Sequence, residues 1–369
     1  MILFSMLGIS AIFAAIASCN LLNRYTVIVC SMCSIVSLSI LNGIRDLSVG
    51  TDLNVYGNSI FMQARANRFS LQDFLHECVS MGMDERGYAA LNFIIAQFTD
   101  NIHIFYFILG LLVNGIFYIA FFEMRSKIPF LLVWVTYLMI IYPSTLNLLR
   151  QSIALSFVAL MGCCVLKERN VLSLFCVFMA IMFHNSAIFA IVIYAFMYYE
   201  SHADDVRVQN VTVVLFLMFS TFIPSLVSVM NSKGLLSDKY SQYVMDDPSD
   251  ISLLNSIIVR ILFVIVSIYF LLKERNELNS YDKCLFSIIV ADFLLIPLQL
   301  ISPSVFRIAL YYSIFKIPGY PLLCCKFRGM KNITYSFYII FTIMYFYTQT
   351  IKNGSGQIFP FIVSPDVIF

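Results

Sequence analysis

Six side chains stand out in a chain that otherwise avoids charge: Arg45, Asp52, Glu85, Arg150, His184 and Arg307. Arginines offer planar forks of N–H donors suited to an anion. Carboxylates orient or share protons, and a histidine carries one near neutral pH. In YPSTLNLLRQSIA, residues 142–154, Asn147, Arg150 and Gln151 stand at i, i+3 and i+4, which on a continuous helix puts them on one face. With Pro143 just ahead, Asn147 falls near the helix start, and this face directs polar groups toward something anionic. In IRDLSVGTDLNVYG, residues 44–57, Gly50 is free to take positive φ, and Thr51 or Asp52 can cap the next segment. Glu85 and Arg86 precede YAALNFIIAQF, a run too short to span and suited to an interfacial or re-entrant helix. His184 interrupts a long apolar stretch and is the best candidate for a proton carrier.

Plainer roles exist for each. A lone arginine at a helix end, Arg307 above all, can snorkel to headgroups, and Asp52 or His184 can simply cap a helix. Capping does not explain Arg45 beside Asp52, nor Glu85 ahead of a short apolar run.

The elements that must position these residues are membrane helices. Of 369 residues, 60% are apolar and 12% charged, with a mean hydropathy of +0.86, about half the charge of an ordinary soluble chain. The net charge of +2 is small and the basic residues are scattered singly, which excludes a nucleic-acid footprint. Most of the ten cysteines fall in or at the ends of apolar runs, with only Cys78 in a clearly polar stretch, so no structural disulfide is expected. Cys30 and Cys33 have redox or metal spacing, but with no nearby histidine they read as small apolar packing. The stretch MILFSMLGISAIFAAIAS lacks a basic region ahead of it and is taken as a first span, not a cleaved signal.

Apolar runs predict spans near 1–18, 25–43, 101–122, 128–142, 148–166, 209–231, 255–272, 284–302, 304–323 and 333–351. The stretch 171–199 is too long for one pass and reads as two short ones turning at His184. The expectation is a single all-α transmembrane domain over residues 1–369 with about twelve spans. Alternating from Arg125 and Lys127 on the cytoplasmic side places twelve basic residues inside, in short loops, against nine outside. Both termini and the loops 44–100, 143–147, 232–254 and 302–304 then lie outside, and all six singled-out residues share that face. Asp292 and Lys316 fall at similar depth either side of Pro303 and predict a structural ion pair, since each alone in lipid is costly. PGYP, residues 318–321, is expected to break its span. Tyr240 and Tyr243 stand among acids in the 232–254 loop, as sugar-stacking surfaces often do. No internal repeat is evident, which speaks against a transporter of inverted halves.

Several motifs fall in a familiar order. Arg45-Asp-Leu-Ser-Val-Gly50-Thr51-Asp52 with Tyr56, Glu85 before a short apolar run, Asn147-Leu-Leu-Arg150-Gln151-Ser-Ile-Ala and Phe-His184-Asn-Ser186-Ala resemble the EpsG branch of Wzy-type bacterial polysaccharide polymerases. The resemblance covers residues 25–200. Beyond them it rests on Arg307 ahead of Tyr311 and Tyr312 and on Phe359-Pro360-Phe361, where a tyrosine is more usual. It implies an inner-membrane polymerase of O-antigen or related glycan, all-helical like other lipid-dependent (GT-C-like) glycosyltransferases. Such an enzyme moves a growing chain from undecaprenyl diphosphate onto a fresh lipid-linked repeat unit at the periplasmic face, without metal or other cofactor. Implied partners are the undecaprenyl-diphosphate-linked oligosaccharide, membrane lipid and a chain-length regulator, with no nucleic acid. The implied roles are diphosphate binding for Arg45, Arg150 and Arg307, catalysis for His184, Asp52 and Glu85, and support from Gly50, Thr51, Tyr56, Asn147 and Gln151.

Three other readings compete. A flippase predicts ionisable residues along a midplane cavity, whereas these gather at one face. An acyltransferase needs a nucleophile or base reachable from a cytoplasmic donor, and the inner loops offer ordinary lysine, arginine and acids. A ligase is chemically closest, and the Gly50-Thr51-Asp52 pattern favours the polymerase over it.

Overall fold

The computed structural model describes residues 1–19, 21–203, 205–232, 253–274, 277–300 and 306–367. Regular structure among them is helical, with one isolated bridge between Arg45 and Val363. Among the described residues, seven helical runs are long and apolar enough to cross a membrane, and three shorter helices are apolar too. The chain is therefore an all-α integral membrane protein. It forms two compact units, one of residues 1–160, 175–185 and 335–369, the other of 161–174 and 186–334.

The first unit begins with α1 (Ile2–Ala17) and α2 (Arg24–Ile44). Between α2 and α6 (Ile102–Phe122) lie a π-turn (Leu53–Asn58) and three short helices: α3 (Ser59–Ala66), α4 (Leu71–Ser80) and α5 (Arg86–Ala96). The next apolar run is α7 (Phe130–Thr136), a π-turn (Tyr137–Ile141) and α8 (Tyr142–Asn147), then α9 (Leu149–Leu166) and α10 (Asn170–Phe183), whose residues 161–166 and 170–174 count with the second unit.

Small residues let α2 and α6 approach closely, as membrane helices do where packing replaces hydrophobic drive. A Cβ on Gly110 would fall 2.8 Å from Asn42 Cβ, and one on Gly43 3.0 Å from Phe107 Cβ. Buried polar groups add directional ties. Ser10 Oγ meets Ser34 Oγ at 3.0 Å and accepts from Trp134 Nε1 at 3.0 Å. Tyr142 donates to the Leu38 carbonyl at 2.8 Å, and Tyr137 to Asn114 Oδ1 at 2.6 Å. Each satisfies groups that lipid cannot.

The second unit holds α11 (Ala190–His202), α12 (Val206–Ser232), α13 (Leu253–Lys273), α14 (Ser280–Leu294), α15 (Leu310–Ser313) and α16 (Lys316–Lys326). α17 (Lys331–Phe346) leads back to the first. The break at His184 is as expected: α10 ends at Phe183, a 3-10 turn covers Asn185–Phe189 and α11 begins directly after it. PGYP does not break its span. The interruption falls at Ile314–Phe315, and α16 runs on through Pro321. Pro318 sits in the first turn of α16, where the missing N–H has no helical partner to lose.

Asp292 and Lys316 form the expected pair, with Nζ 2.7 Å from Oδ2. Two further residues join it. Arg260 Nε stands 3.2 Å from the same oxygen, and Ser313 donates to Oδ1. Residues 233–252 and 301–305, with Tyr240, Tyr243 and Pro303, lie outside the described residues. None of the ten cysteines is joined in a disulfide.

Asp292→Asn strands two buried cations, and is expected to cost about 3–5 kcal/mol of stability. Lys316→Met leaves Arg260 on the carboxylate and costs less. The double variant falls short of the sum of the two. Thermal unfolding in detergent reads this, and strict additivity would mean the groups do not interact.

Candidate functional site

The site is built in the first unit, where α2 ends. Arg45, its C-cap, takes extended backbone (φ −66°, ψ 146°) because the C-terminal tail runs beside it. Asp46 N donates to Ile362 O and Ser364 N to Ile44 O, both at 2.9 Å. Asp46 then accepts from the Ser48 hydroxyl at 2.6 Å, which with the Ser48 amide holds its carboxyl below the usual range. Gly50 turns the chain at φ +98°, and a Cβ there would fall 2.9 Å from Asn147 Oδ1. The same oxygen accepts the Asp52 amide at 3.1 Å, and Asn147 Nδ2 donates to Gln357 Oε1 of the tail at 3.4 Å. Asn147 thereby joins the Gly50–Asp52 loop to the tail.

Glu85 is the centre. It is the N-cap of α5, and Gly87 just beyond it allows the helix onto the end of α10: a Cβ there would lie 2.8 Å from the Met182 carbonyl. That contact brings Glu85 to His184. Glu85 Oε1 lies 3.3 Å from His184 Nδ1, and Oε2 accepts from Arg150 Nη1 at 2.7 Å. The side chains of Glu85, Arg150 and His184 are 4%, 8% and 20% exposed. The guanidinium of Arg150 also lies over Tyr56, 3.5 Å from the ring centroid. Tyr56 is held in turn by Tyr88, whose hydroxyl donates to the Tyr56 carbonyl at 3.0 Å. Burial pushes the Tyr88 phenol far up, so it stays a donor.

Arg45 is fully buried. It donates through Nη1 to the Leu146 carbonyl and lies 5.2 Å from the centroid of Tyr106. Burial lowers its guanidinium to about 10, opposed by Tyr106, Tyr142, Tyr88 and Asp52. It therefore stays charged at neutral pH. Its Nε and Nη2, and the Nε of Arg150, are buried without a hydrogen-bond partner. Asp52 is buried and within electrostatic reach of both arginines.

The structure thus gathers Arg45, Gly50, Asp52, Tyr56, Glu85, Asn147, Arg150 and His184, with Gln151 buried next to Arg150. Two expectations change, and Arg307 is placed apart from them. Asn147, Arg150 and Gln151 do not share one helical face: the helix breaks at Leu148 (φ −81°, ψ 78°), so Asn147 ends α8 and holds the loop while Arg150 opens α9 and holds Glu85. Asp52 occupies the N-cap of the π-turn but makes no capping bond with its side chain, and Thr51 is exposed. Arg307, half-buried, belongs to the second unit and opens a 3-10 turn, Arg307–Ala309; in that unit Tyr311 OH meets Ser186 Oγ at 3.1 Å. Sequence reading missed Tyr88, Tyr106 and Gln357. Tyr88, three residues after Glu85 on α5, was open to a helical-spacing argument, whereas Gln357 carried no signal.

Fold and site define a polytopic helical membrane protein with a buried arginine–carboxylate–histidine cluster at helix ends. The chain belongs to the EpsG family, whose sequence model matches residues 28–363. The match reaches Val363, the residue bridged to Arg45. Neither a curated protein nor a solved structure matches the chain.

Gly50→Ala and Gly82→Ala separate crowding from backbone strain. Both glycines have positive φ, but a Cβ on Gly82 meets nothing within 4 Å. Gly82→Ala is expected to cost about 1 kcal/mol and Gly50→Ala about 1–3 kcal/mol more, as Asn147 is pushed away. Equal losses on unfolding would remove Asn147 from its role at the loop.

Proposed function

We propose that this protein polymerises lipid-linked oligosaccharide repeat units into O-antigen or a related surface polysaccharide. The transfer takes place from undecaprenyl diphosphate at the periplasmic face of the bacterial inner membrane. Membership of the EpsG family supports polysaccharide polymerisation in a membrane protein. The observation that carries the chemistry is Glu85 shared between Arg150 and His184, beside two arginines with unused buried donors. On this reading the chain crosses the membrane twelve times with both termini outside, as its twelve apolar runs, helical among the described residues, allow. The fold is then of the lipid-dependent glycosyltransferase kind.

Arg150 and Arg45 hold the donor diphosphate through charge-assisted hydrogen bonds, and neutralise it as the leaving group departs. Their unused donors are buried, so diphosphate binding requires the groups packed around them to give way. A carboxylate at His184 Nδ1 favours the tautomer with its proton there, which leaves the Nε2 lone pair for the acceptor hydroxyl. As the acceptor oxygen bonds to the anomeric carbon, its proton passes to Nε2. The bond from that carbon to phosphate oxygen breaks, and undecaprenyl diphosphate leaves with the electron pair. Glu85 steadies the imidazolium, and Asp52 offsets the charge of the arginines before substrate arrives.

The test is a gel ladder of surface lipopolysaccharide from cells with and without the chain. Deletion should leave anchors bearing one repeat unit and no ladder. Loss of the single unit as well would favour a flippase or ligase, and an unchanged ladder a modifying enzyme. In the complemented strain Arg150→Lys, which keeps charge but loses the fork, and His184→Ala should each cut polymer about 100-fold or more. A normal ladder from either variant would refute its assigned role.

A further inference from the structure

The segment between α2 and α6 is apolar on two sides. Phe61 and Ala64 of α3, Phe74 of α4 and Ile95 of α5 are buried in the unit. Val55, Met62 and Phe69 recur every seven residues, each more than half exposed, and Ile94 and Phe98, one turn apart at the end of α5, are 55% and 85% exposed. A helix bounded by water turns polar residues outward. A second apolar face implies a second apolar surrounding.

Charge lies beside Met62 and Phe69. Arg65 Nε donates to Asp100 Oδ1 at 3.0 Å, and Arg68 Nη2 donates to the same oxygen. Two guanidiniums on one carboxylate leave a positive charge over, and Arg68 Nε is buried without a hydrogen-bond partner. These residues and Met62, Ala66 and Phe69 line a surface pocket of about 560 Å³. The segment also enters and leaves through helices apolar enough to cross a membrane, α2 ending at Ile44 and α6 starting at Ile102. Its apolar face therefore lies within reach of a bilayer surface.

We infer that this face of α3 and α5 rests on the membrane, with Met62, Phe69 and Phe98 in the acyl boundary and Arg65 and Arg68 holding the phosphate of an anionic phospholipid. Arginines with apolar neighbours suit that boundary, since the stem packs on hydrocarbon while the fork meets phosphate. The surface is separate from the Glu85 cluster and does not depend on the polymerase reading. It fixes the depth of α5, whose N-cap is Glu85.

The test uses the full-length protein in lipid nanodiscs, with Phe69→Trp or Phe98→Trp as reporters and wild type giving the background of the one native tryptophan, Trp134. Phosphatidylcholine brominated high on its acyl chains should lower the introduced emission by about half, and aqueous iodide should change it little. Separately, Arg65→Ala/Arg68→Ala should retain at least about twofold less phosphatidylglycerol than wild type by native mass spectrometry. Quenching by iodide alone would mean the face meets water, as a glycan site would, and overturn the inference. Quenching by neither would mean protein covers it, and would overturn the inference equally. Bromolipid quenching with unchanged phosphatidylglycerol would overturn the phosphate contact. None of these readouts uses polymer formation, so they stand or fall apart from the proposed activity.

Discussion

A buried carboxylate shared by an arginine and a histidine is the interaction on which the site depends. Glu85 and Arg150 are each more than nine-tenths removed from solvent, where an unpaired ion costs several kcal/mol and a well-placed partner offsets it. The bond at 2.7 Å therefore fixes where α5 begins relative to α9. Because the second oxygen of Glu85 reaches His184, the same requirement positions the histidine. Tyr56 beneath the guanidinium adds a third wall. The charge balance that keeps the cluster folded also orients the imidazole.

The elements around the cluster can be understood as supports for it. Glycines at Gly43 and Gly110 allow α2 against α6, which sets the point where Arg45 leaves the helix. The tail then pairs with the backbone on both sides of Arg45 and supplies Gln357 to Asn147. A segment more than two hundred residues away in sequence thereby shapes the loop that carries Asp52. Unsatisfied backbone groups are intolerable in lipid, so the tail serves packing and polar satisfaction together.

Much of this was legible in the sequence, for physical reasons that differ by residue. The break at His184 followed from span length and charge alternation, Gly50 from turn chemistry, and Asp292 with Lys316 from equal depth on adjacent passes. The face proposed for Asn147, Arg150 and Gln151 failed because periodicity assumes an unbroken helix, and the turn at Leu148 carries neither glycine nor proline to announce it. Arg260 joined Asp292 from a helix whose register no local spacing reveals. The pairing of residues 362–364 with residues 44–46 is a long-range contact, and a single chain read alone gives no sign of it.

The most direct measurement is turnover by the purified protein in nanodiscs supplied only with an undecaprenyl-diphosphate-linked repeat unit, following release of undecaprenyl diphosphate and growth of the glycan. A site centred on Glu85 predicts one diphosphate released per linkage formed, and a fall of about 100-fold or more in Glu85→Gln, which keeps the shape but loses the charge shared by Arg150 and His184. Wild-type turnover in Glu85→Gln would contradict the central place given to that carboxylate, and glycan growth without diphosphate release would contradict the reaction itself.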